Sequence, residues 1–326
     1  MAAQYPGSQF VGIDLSGSAI EHARIATAEL GLGNLVFHHR NIMDVAAELG
    51  EFDYILVHGV FSWVPDMVRE KIIAVFGELL SPRGIAYVSY NALPGCRLRD
   101  LARDVMLYAT RDVSDPQERV RVARASLKAV AEASDAATFH GAALRQRLEQ
   151  LADMPDNVLY HDDLNPGARA FALHEVLGSA ERHGLQFLAE ASFPNMYGAA
   201  KGPAQAMLAG VREQTLDLLI GRAFRETLLC RAGIPLRRGI KPGSLKPYHI
   251  AAHARLVEET GGEEQKPGVD RFEFGEGVRL SVDLHLCKAA LRQLSKGWPA
   301  RIAFEDLVAQ AVADVGAVLG PDVEAP

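Results

Sequence analysis

Gln9-Phe-Val-Gly-Ile-Asp14 is a short apolar run that ends in an acid. Its length and apolar character are typical of a buried β-strand. Ser18-Ala-Ile-Glu21 follows with the spacing of a capping box, which predicts that Ser18 caps a helix from Ala19 to about Leu30. A strand that leads directly into a helix is the repeating unit of a parallel sheet.

The same alternation of strand and helix continues as far as Tyr90. Further strands are predicted at Leu35-Val-Phe-His38, Phe52-Asp-Tyr-Ile-Leu-Val-His58 and Ile85-Ala-Tyr-Val-Ser-Tyr90. A helix from about Met67 to Leu80 is expected before the last strand. The turn-type residues Ser81-Pro-Arg-Gly84 are expected to end this helix. We therefore predict an α/β fold with a Rossmann-like, doubly wound and mainly parallel sheet that is covered by helices on both faces.

The ends of these strands carry the candidate functional residues, because ligands of such sheets bind beyond the carboxyl ends of the strands. Asp14, Asn41, His58–Gly59 and Tyr90–Asn91 lie at or just past the four predicted ends. A carboxylate has two acceptor oxygens for the two hydroxyls of a ribose, so Asp14 is a candidate for nucleoside binding. An acid that caps a helix or faces solvent is an equally good interpretation of Asp14.

The segment in front of Asp14 lacks the loop that such a site requires. Only thirteen residues precede Asp14, and they hold no GxGxxG run. Nucleotide sites of this class have a glycine-rich loop about 20 residues before the ribose acid. We expect the central strand of the sheet to be missing, so that its neighbours have unpaired edges unless another segment fills the gap. This pattern favours a truncated or mis-started version of a longer protein.

Three segments carry a resemblance to a known family. They are Phe37-His-His-Arg-Asn-Ile-Met-Asp44, Phe52-Asp-Tyr-Ile-Leu-Val-His-Gly-Val-Phe-Ser-Trp-Val-Pro65 and Leu79-Leu-Ser-Pro-Arg-Gly-Ile-Ala-Tyr-Val-Ser-Tyr-Asn-Ala-Leu-Pro-Gly95. Together they resemble class I S-adenosylmethionine (SAM)-dependent methyltransferases after their first motif. More narrowly, they resemble the members with a methyltransferase regulatory domain, a group that includes bacterial protein-lysine methyltransferases. The strings HGVFSWVP and YNALPG are the specific part, and the resemblance covers about residues 5–240.

The resemblance implies S-adenosyl-L-methionine as the cofactor and assigns roles to individual residues. The implied cofactor-binding residues are Asp14 for the ribose, Leu15, Asn41 and Ile42 for the adenine, and His58 and Gly59 for the methionine moiety. The implied substrate-binding residues are Phe61, Trp63, Tyr90 and Asn91. Packing alone is an alternative for His58 and for the aromatic residues. No catalytic base and no metal ligands are identified.

The remainder of the chain changes character at Arg97, where apolar residues recur at helical spacing. We divide the sequence into a partial SAM-binding Rossmann-like domain (1–96), a helical regulatory insertion (97–165), a return to the methyltransferase sheet (166–242) and a winged-helix-like domain (243–326). The insertion is expected to cover the acceptor site or bind a partner, although a bundle that completes the core explains it equally well. From Lys241 to Pro326 there are 10 basic and 13 acidic residues, a balance of −3 that argues against DNA binding.

Composition excludes several classes of protein. Of 326 residues, 48 % are hydrophobic and 23 % are charged, which excludes extended disorder. The formal charge of −7 does not favour nucleic acid or anionic lipid as a partner. Three isolated cysteines argue against a disulfide framework, and no apolar run approaches the roughly 20 residues of a membrane span. We expect a soluble cytoplasmic protein.

The leading hypothesis is a SAM-dependent methyltransferase that modifies protein side chains with a lysine-like acceptor. The missing first motif is expected to impair its activity. The alternative is a non-catalytic, degenerate methyltransferase that acts as a binding or scaffold protein. An NAD-dependent dehydrogenase is a weaker third hypothesis, and a hydrolase is disfavoured because no serine lies in a GxSxG motif.

Overall fold

The structure is a computed structural model that describes residues 1–192, 212–237, 242–257, 268–275 and 278–319. The chain separates into two compact units, Met1–Leu236 and Arg237–Pro326. Each unit has a hydrophobic cluster of its own. The finer division at residues 96, 165 and 242 stays a prediction.

The first unit begins with a strand–helix–strand segment. β1 (Phe10–Asp14) leads into α1 (Gly17–Glu29), and the chain returns as β2 (Leu35–His39). β1 and β2 pair in parallel with Asp14 opposite His39, so their carboxyl ends lie together. Two short 3-10 helices follow, at Ile42–Asp44 and Ala47–Leu49. The predicted α/β alternation is therefore confirmed at the start of the chain.

The cap of α1 differs from the prediction. The side chain of Ser16, not of Ser18, accepts the hydrogen bond from the Ala19 amide, at 3.2 Å. The Asp14 carboxylate in turn accepts the Ser16 N–H at 2.7 Å, which turns the chain immediately after the strand. The helix consequently starts at Gly17, and Ser18 lies inside its first turn with its hydroxyl 3.0 Å from the Ser16 hydroxyl.

Replacing Ser16 with alanine is expected to destabilise the chain by about 1 kcal/mol, because an amide at the start of α1 loses its acceptor. Urea denaturation followed by circular dichroism measures the change. The matched variant Ser18→Ala should change the free energy of unfolding by less than about 0.5 kcal/mol. Larger destabilisation by Ser18→Ala than by Ser16→Ala would contradict this assignment of the cap.

A second sheet contains four strands in the order β3-β4-β6-β5. Its strands are β3 (Phe52–Val57), β4 (Leu80–Asn91), β5 (Leu185–Glu190) and β6 (Phe224–Arg231). β3 and β4 are parallel, whereas β6 lies between β4 and β5 and is antiparallel to both. The buried side chains of α2 (Asp66–Leu79) and α7 (Leu173–Arg182) form the main core against one face of this sheet.

Helix α2 ends at Leu79, within one residue of its predicted end, but Ser81-Pro-Arg-Gly84 belongs to β4 and does not separate the helix from the strand. Phe52 pairs with Leu80, and the ladder then shifts register and resumes with Tyr54 opposite Ile85. Pro82 lies within the shift, where its missing N–H removes no ladder hydrogen bond. Turn-type residues can therefore occur inside a strand at a bulge.

The two sheets of the first unit are separate but share a core. Ile13 of β1 and Ile55 of β3 both pack against the buried side chains of Val45, Val75 and Leu79. Within the described ranges, β1 pairs with β2 alone and β3 pairs with β4 alone. The free edges of β1 and β3 agree with the unpaired edges that the sequence predicts.

Helices occupy the middle of the first unit. They are α3 (Cys96–Ala109), α4 (Pro116–Ala133), α5 (Phe139–Ala152) and α6 (Asp156–Asp162), and α8 (Arg212–Ile220) precedes β6. Helices α3 to α6 have a core of their own that includes Met106, Leu127 and Leu144. Helices α3 to α6 thus form a small bundle.

The second unit combines short strands with two helices. The strands are β7 (His249–Ile250), β8 (Arg255–Leu256), β9 (Asp270–Glu273), β10 (Arg279–Val282) and β11 (Ile302–Ala303), and the helices are α9 (His285–Gly297) and α10 (Phe304–Leu319). β9 and β10 pair in the antiparallel direction, and residues 276 and 277 between them lie outside the described residues. Across the described parts of both units, no helix has the length and apolar character that a membrane span requires.

Candidate functional site

The predicted strand-end residues lie at the carboxyl ends of the two sheets. Asp14 is the last residue of β1, and Asn41 follows two residues after the end of β2. His58 directly follows β3, and Asn91 is the last residue of β4. Because each pair of strands is parallel, each pair of ends shares one edge of its sheet.

The Asp14 carboxylate has one oxygen in use and one available. Its Oδ1 accepts the Ser16 N–H, while the side chain stays exposed. The adjacent Leu15 side chain is 68 % exposed, and the Leu15 carbonyl lies 2.9 Å from Nε2 of His39. Asp14 can therefore hold the turn into α1 and also bind a ligand, because no described residue donates a hydrogen bond to its Oδ2.

Asn41 and Ile42 begin the first 3-10 helix. The Oδ1 atom of Asn41 accepts the Met43 N–H at 3.0 Å, which holds the amide side chain in place at the end of β2. Ile42 is half-buried and packs against both core clusters of the sheets. Asn41 is therefore positioned beside β2, and Ile42 links it to the core.

His58 and Gly59 form a tight turn after β3. The φ angle of Gly59 is +69°, a conformation that side chains with a Cβ atom rarely adopt. The Gly59 N–H donates to the Ser89 hydroxyl at 2.9 Å. Nδ1 of His58 lies 2.8 Å from the hydroxyl of Tyr87, which itself donates to Oε1 of Glu226 at 2.8 Å.

Tyr87 and Glu226 are residues that the sequence analysis missed. Burial and the hydrogen bond to Glu226 raise the pKa of Tyr87 to about 12. Tyr87 lies in the middle of a predicted strand, where its orientation follows only from the register of β4. Glu226 is 139 positions further along the chain and carries no local signal.

Two of the four predicted substrate-binding residues lie inside the core. Phe61 is 3 % and Tyr90 is 1 % exposed, and both rings contact Phe171. Burial raises the pKa of the Tyr90 hydroxyl, which lies 3.1 Å from the Thr227 hydroxyl. These two aromatic side chains are therefore part of the core and do not line the surface of the site.

The other two lie nearer the surface, Trp63 in the loop after β3 and Asn91 at the last position of β4. Trp63 is half-buried, and its ring centroid lies 5.0 Å from that of His161. The backbone N–H of Asn91 donates to the hydroxyl of Ser62 at 2.8 Å. This bond joins the HGVFSWVP and YNALPG segments, so the two motifs meet in the structure.

A buried ionic cluster lies near the carboxyl end of β4. Arg225 of β6 pairs with Tyr90 of β4, and its guanidinium contacts the carboxylates of Glu190 and Asp217. Burial by itself would lower the pKa of Arg225, but the two carboxylates raise it, so the group is charged. The cluster holds β5, β6 and α8 together.

A cavity of about 570 Å³ opens beyond the end of β4. Leu93 and Pro94 of the YNALPG segment line it together with Arg97, Arg169 and Gln214. None of the predicted cofactor-binding or substrate-binding residues lines this cavity. The carboxyl ends of the two sheets thus have an exposed acid at β1, an exposed imidazole at β3 and a cavity after β4.

The exposed groups suit a ligand with a ribose and an aromatic base. A free carboxylate oxygen at Asp14 can accept a hydroxyl, and the exposed Leu15 side chain offers an apolar surface beside it. The amide of Asn41 adds donors at the end of the neighbouring strand. The described residues therefore fit the nucleoside part of such a ligand.

Two family models match the chain. Residues 1–149 match a methyltransferase domain, and residues 155–231 match a predicted methyltransferase regulatory domain. The two matches adjoin each other and lie within the first compact unit.

Relatives with similar sequences occur in bacteria. Protein RP789 of Rickettsia prowazekii (strain Madrid E) is 38 % identical over 321 residues, which cover 95 % of this chain and 58 % of that protein. Protein sll1526 of Synechocystis sp. (strain ATCC 27184 / PCC 6803 / Kazusa) is 27 % identical over 245 residues, which cover 72 % of this chain and 48 % of that protein.

Solved structures with the same fold include PKMT2 from Rickettsia typhi. One is 27 % identical, covers 97 % of this chain and 62 % of that chain, and has a TM-score of 0.81. PKMT2 in complex with AdoHcy is also 27 % identical, covers 99 % of this chain and 66 % of that chain, and has a TM-score of 0.80. The chain thus spans less than two thirds of the length of RP789 and of both PKMT2 structures.

Proposed function

We propose that the chain, which matches a methyltransferase domain followed by a methyltransferase regulatory domain, binds SAM and methylates an amine on a protein side chain. The observation that carries the proposal is the exposed Asp14 carboxylate at the end of β1, with one oxygen free for a ribose hydroxyl. The AdoHcy complex of PKMT2, which shares the fold over 99 % of this chain, supports this choice of cofactor.

The proposed cofactor contacts follow the strand ends. Asp14 accepts the ribose hydroxyls, and Leu15 packs near the adenine. Asn41 accepts from the adenine amino group through the second lone pair of its Oδ1, and Ile42 holds this segment against the core. His58 and Gly59 lie along the methionine moiety. When bound, SAM supplies a methyl group that is activated by its attachment to a sulfonium.

The proposed acceptor is an amine of the lysine type, as the resemblance to protein-lysine methyltransferases implies. Trp63 and Asn91 flank the acceptor, while Phe61 and Tyr90 support this side from the core. These residues act mainly by position, because alignment of the reacting atoms at about 3–3.5 Å supplies much of the acceleration. An amine must also lose a proton before it can act as a nucleophile.

Incubation with SAM that carries a tritiated methyl group tests the proposed activity. We expect tritium to enter a lysine-rich protein and to survive mild alkali, since an N-methyl group is stable to base whereas a methyl ester is hydrolysed. The same protein with its lysines acetylated is the matched control and should acquire at least about tenfold less label. Equal labelling of both proteins, or label that alkali removes, would exclude an amine acceptor.

A further inference from the structure

A chain of hydrogen bonds links three side chains from three separate segments of the first unit. Nδ1 of His58 lies 2.8 Å from the hydroxyl oxygen of Tyr87, and that hydroxyl lies 2.8 Å from Oε1 of Glu226. His58 is in the turn after β3, Tyr87 is in β4 and Glu226 is in β6. A displacement of any one of these segments would break the chain of hydrogen bonds.

The chemistry of the three groups sets the direction of both bonds. A hydroxyl has one proton, and an ionised carboxylate can only accept. Tyr87 therefore donates to Glu226, and its oxygen accepts a hydrogen bond from the Nδ1–H of His58. Burial and Glu226 raise the pKa of Tyr87 to about 12, so the hydroxyl keeps its proton at neutral pH. Neutral His58 must then carry its proton on Nδ1, which leaves Nε2 with a free lone pair.

The surroundings fix the imidazole ring but leave it accessible. The ring stacks on Tyr87 with centroids 5.9 Å apart, and Phe224 meets it edge-on at 6.4 Å. The hydrogen bond between Gly59 and Ser89 holds the turn that carries His58. The His58 side chain is exposed, and within the described residues no hydrogen bond reaches Nε2.

We propose that Nε2 of His58 takes the proton from the amine that receives the methyl group, and that Tyr87 and Glu226 are positioning residues for His58. This inference rests on the proposed function. The N–H bond of the ammonium breaks and its electron pair stays on the nitrogen, while the lone pair of Nε2 forms the new N–H bond. The positive charge that arises on the imidazole is stabilised through Tyr87 by the carboxylate of Glu226. Solvent receives the proton afterwards, since His58 is exposed.

Glu226 gives the regulatory domain a part in this step. Residues 155–231 match the regulatory domain, whereas His58 and Tyr87 belong to the match of the methyltransferase domain. The hydrogen bond between Tyr87 and Glu226 therefore joins the two matched regions. A shift of β6 would break this bond, and the orientation of the His58 ring would no longer be fixed.

The tautomer of His58 tests the hydrogen-bond chain without any need for activity. Long-range ¹H–¹⁵N correlation spectra of the full chain in mildly alkaline buffer are expected to show His58 protonated on Nδ1. Tyr87→Phe removes the acceptor and should convert His58 to a mixture in which Nε2 is protonated. Tyr54→Phe, which deletes the hydroxyl of an exposed tyrosine in β3, should leave the spectrum unchanged. Protonation of Nε2 in the unaltered chain overturns the proposal.

Kinetics test the role in proton transfer. His58→Ala is expected to lower kcat for methyl transfer by about 10²- to 10⁴-fold, and added imidazole should restore part of the lost rate. Tyr87→Phe should lower kcat about tenfold, the rate equivalent of one hydrogen bond. A His58→Ala variant with unchanged kcat, or a loss that imidazole does not restore, overturns the proposal.

SAM binding by the unaltered chain separates a failure of the proposed function from a failure of the role proposed for His58. Binding together with an Nε2-protonated His58 overturns the role of His58 alone and leaves the proposed function standing. Absence of SAM binding overturns the proposed function and the role of His58 together.

Discussion

Replacing Arg225 with methionine is expected to lower the free energy of unfolding by about 3–5 kcal/mol, because the buried carboxylate of Glu190 then loses its cation and that of Asp217 loses one of two. The Arg225 side chain is fully buried and contacts Glu190 and Asp217, and its Nη2 also donates to the Glu213 carbonyl at 3.0 Å. Arg222 stays 2.6 Å from Asp217, so Glu190 is the group left with the larger deficit. Urea denaturation followed by circular dichroism measures the loss.

Arg182→Met is the matched control for Arg225→Met. The Arg182 side chain is 63 % exposed and lies 3.0 Å from the carboxylate of Glu70. An exposed pair of this kind contributes about 0–1 kcal/mol, so this variant should unfold at nearly the same urea concentration as the unaltered chain. Similar losses for the two variants would contradict the view that burial makes the Arg225 cluster important.

The early strands could be predicted from the sequence because buried parallel strands are short apolar runs between turn residues. β1, β2 and β3 lie within one residue of their predicted ends. β4 starts earlier than predicted, because the register shift after Phe52 accommodates Pro82 inside the strand. The cap of α1 moves from Ser18 to Ser16, because the Asp14 carboxylate turns the chain directly after β1.

The candidate site could be predicted only in part. Strand ends indicate where a ligand binds, and the resemblance to SAM-dependent methyltransferases with a regulatory domain is confirmed by the two family models. The order of the strands could not be predicted, because β6 enters between β4 and β5 from a distant part of the chain. Without that order, neither the contact of Glu226 with Tyr87 nor the burial of Tyr90 against Thr227 can be predicted.

Asp14→Asn is expected to weaken SAM binding about 10- to 100-fold. A hydrogen bond to a charged group contributes about 1.5–3 kcal/mol, and the substitution removes the charge while keeping the shape of the side chain. The asparagine Oδ1 can still accept the Ser16 N–H, so the turn into α1 is preserved. The loss therefore reports on ligand contact rather than on folding, which circular dichroism of the variant checks.

Isothermal titration of SAM into three chains tests the central claim, that the carboxyl ends of the parallel strands hold the nucleoside. The chains are the unaltered protein, Asp14→Asn and Asp53→Asn. Asp53 is an exposed acid near the opposite, amino end of β3, where it accepts the Ser81 hydroxyl at 2.9 Å. We predict that SAM binds the unaltered protein and Asp53→Asn equally and binds Asp14→Asn about 10- to 100-fold more weakly. No binding to the unaltered protein, or equal binding to all three chains, would show that Asp14 at the end of β1 does not hold the nucleoside.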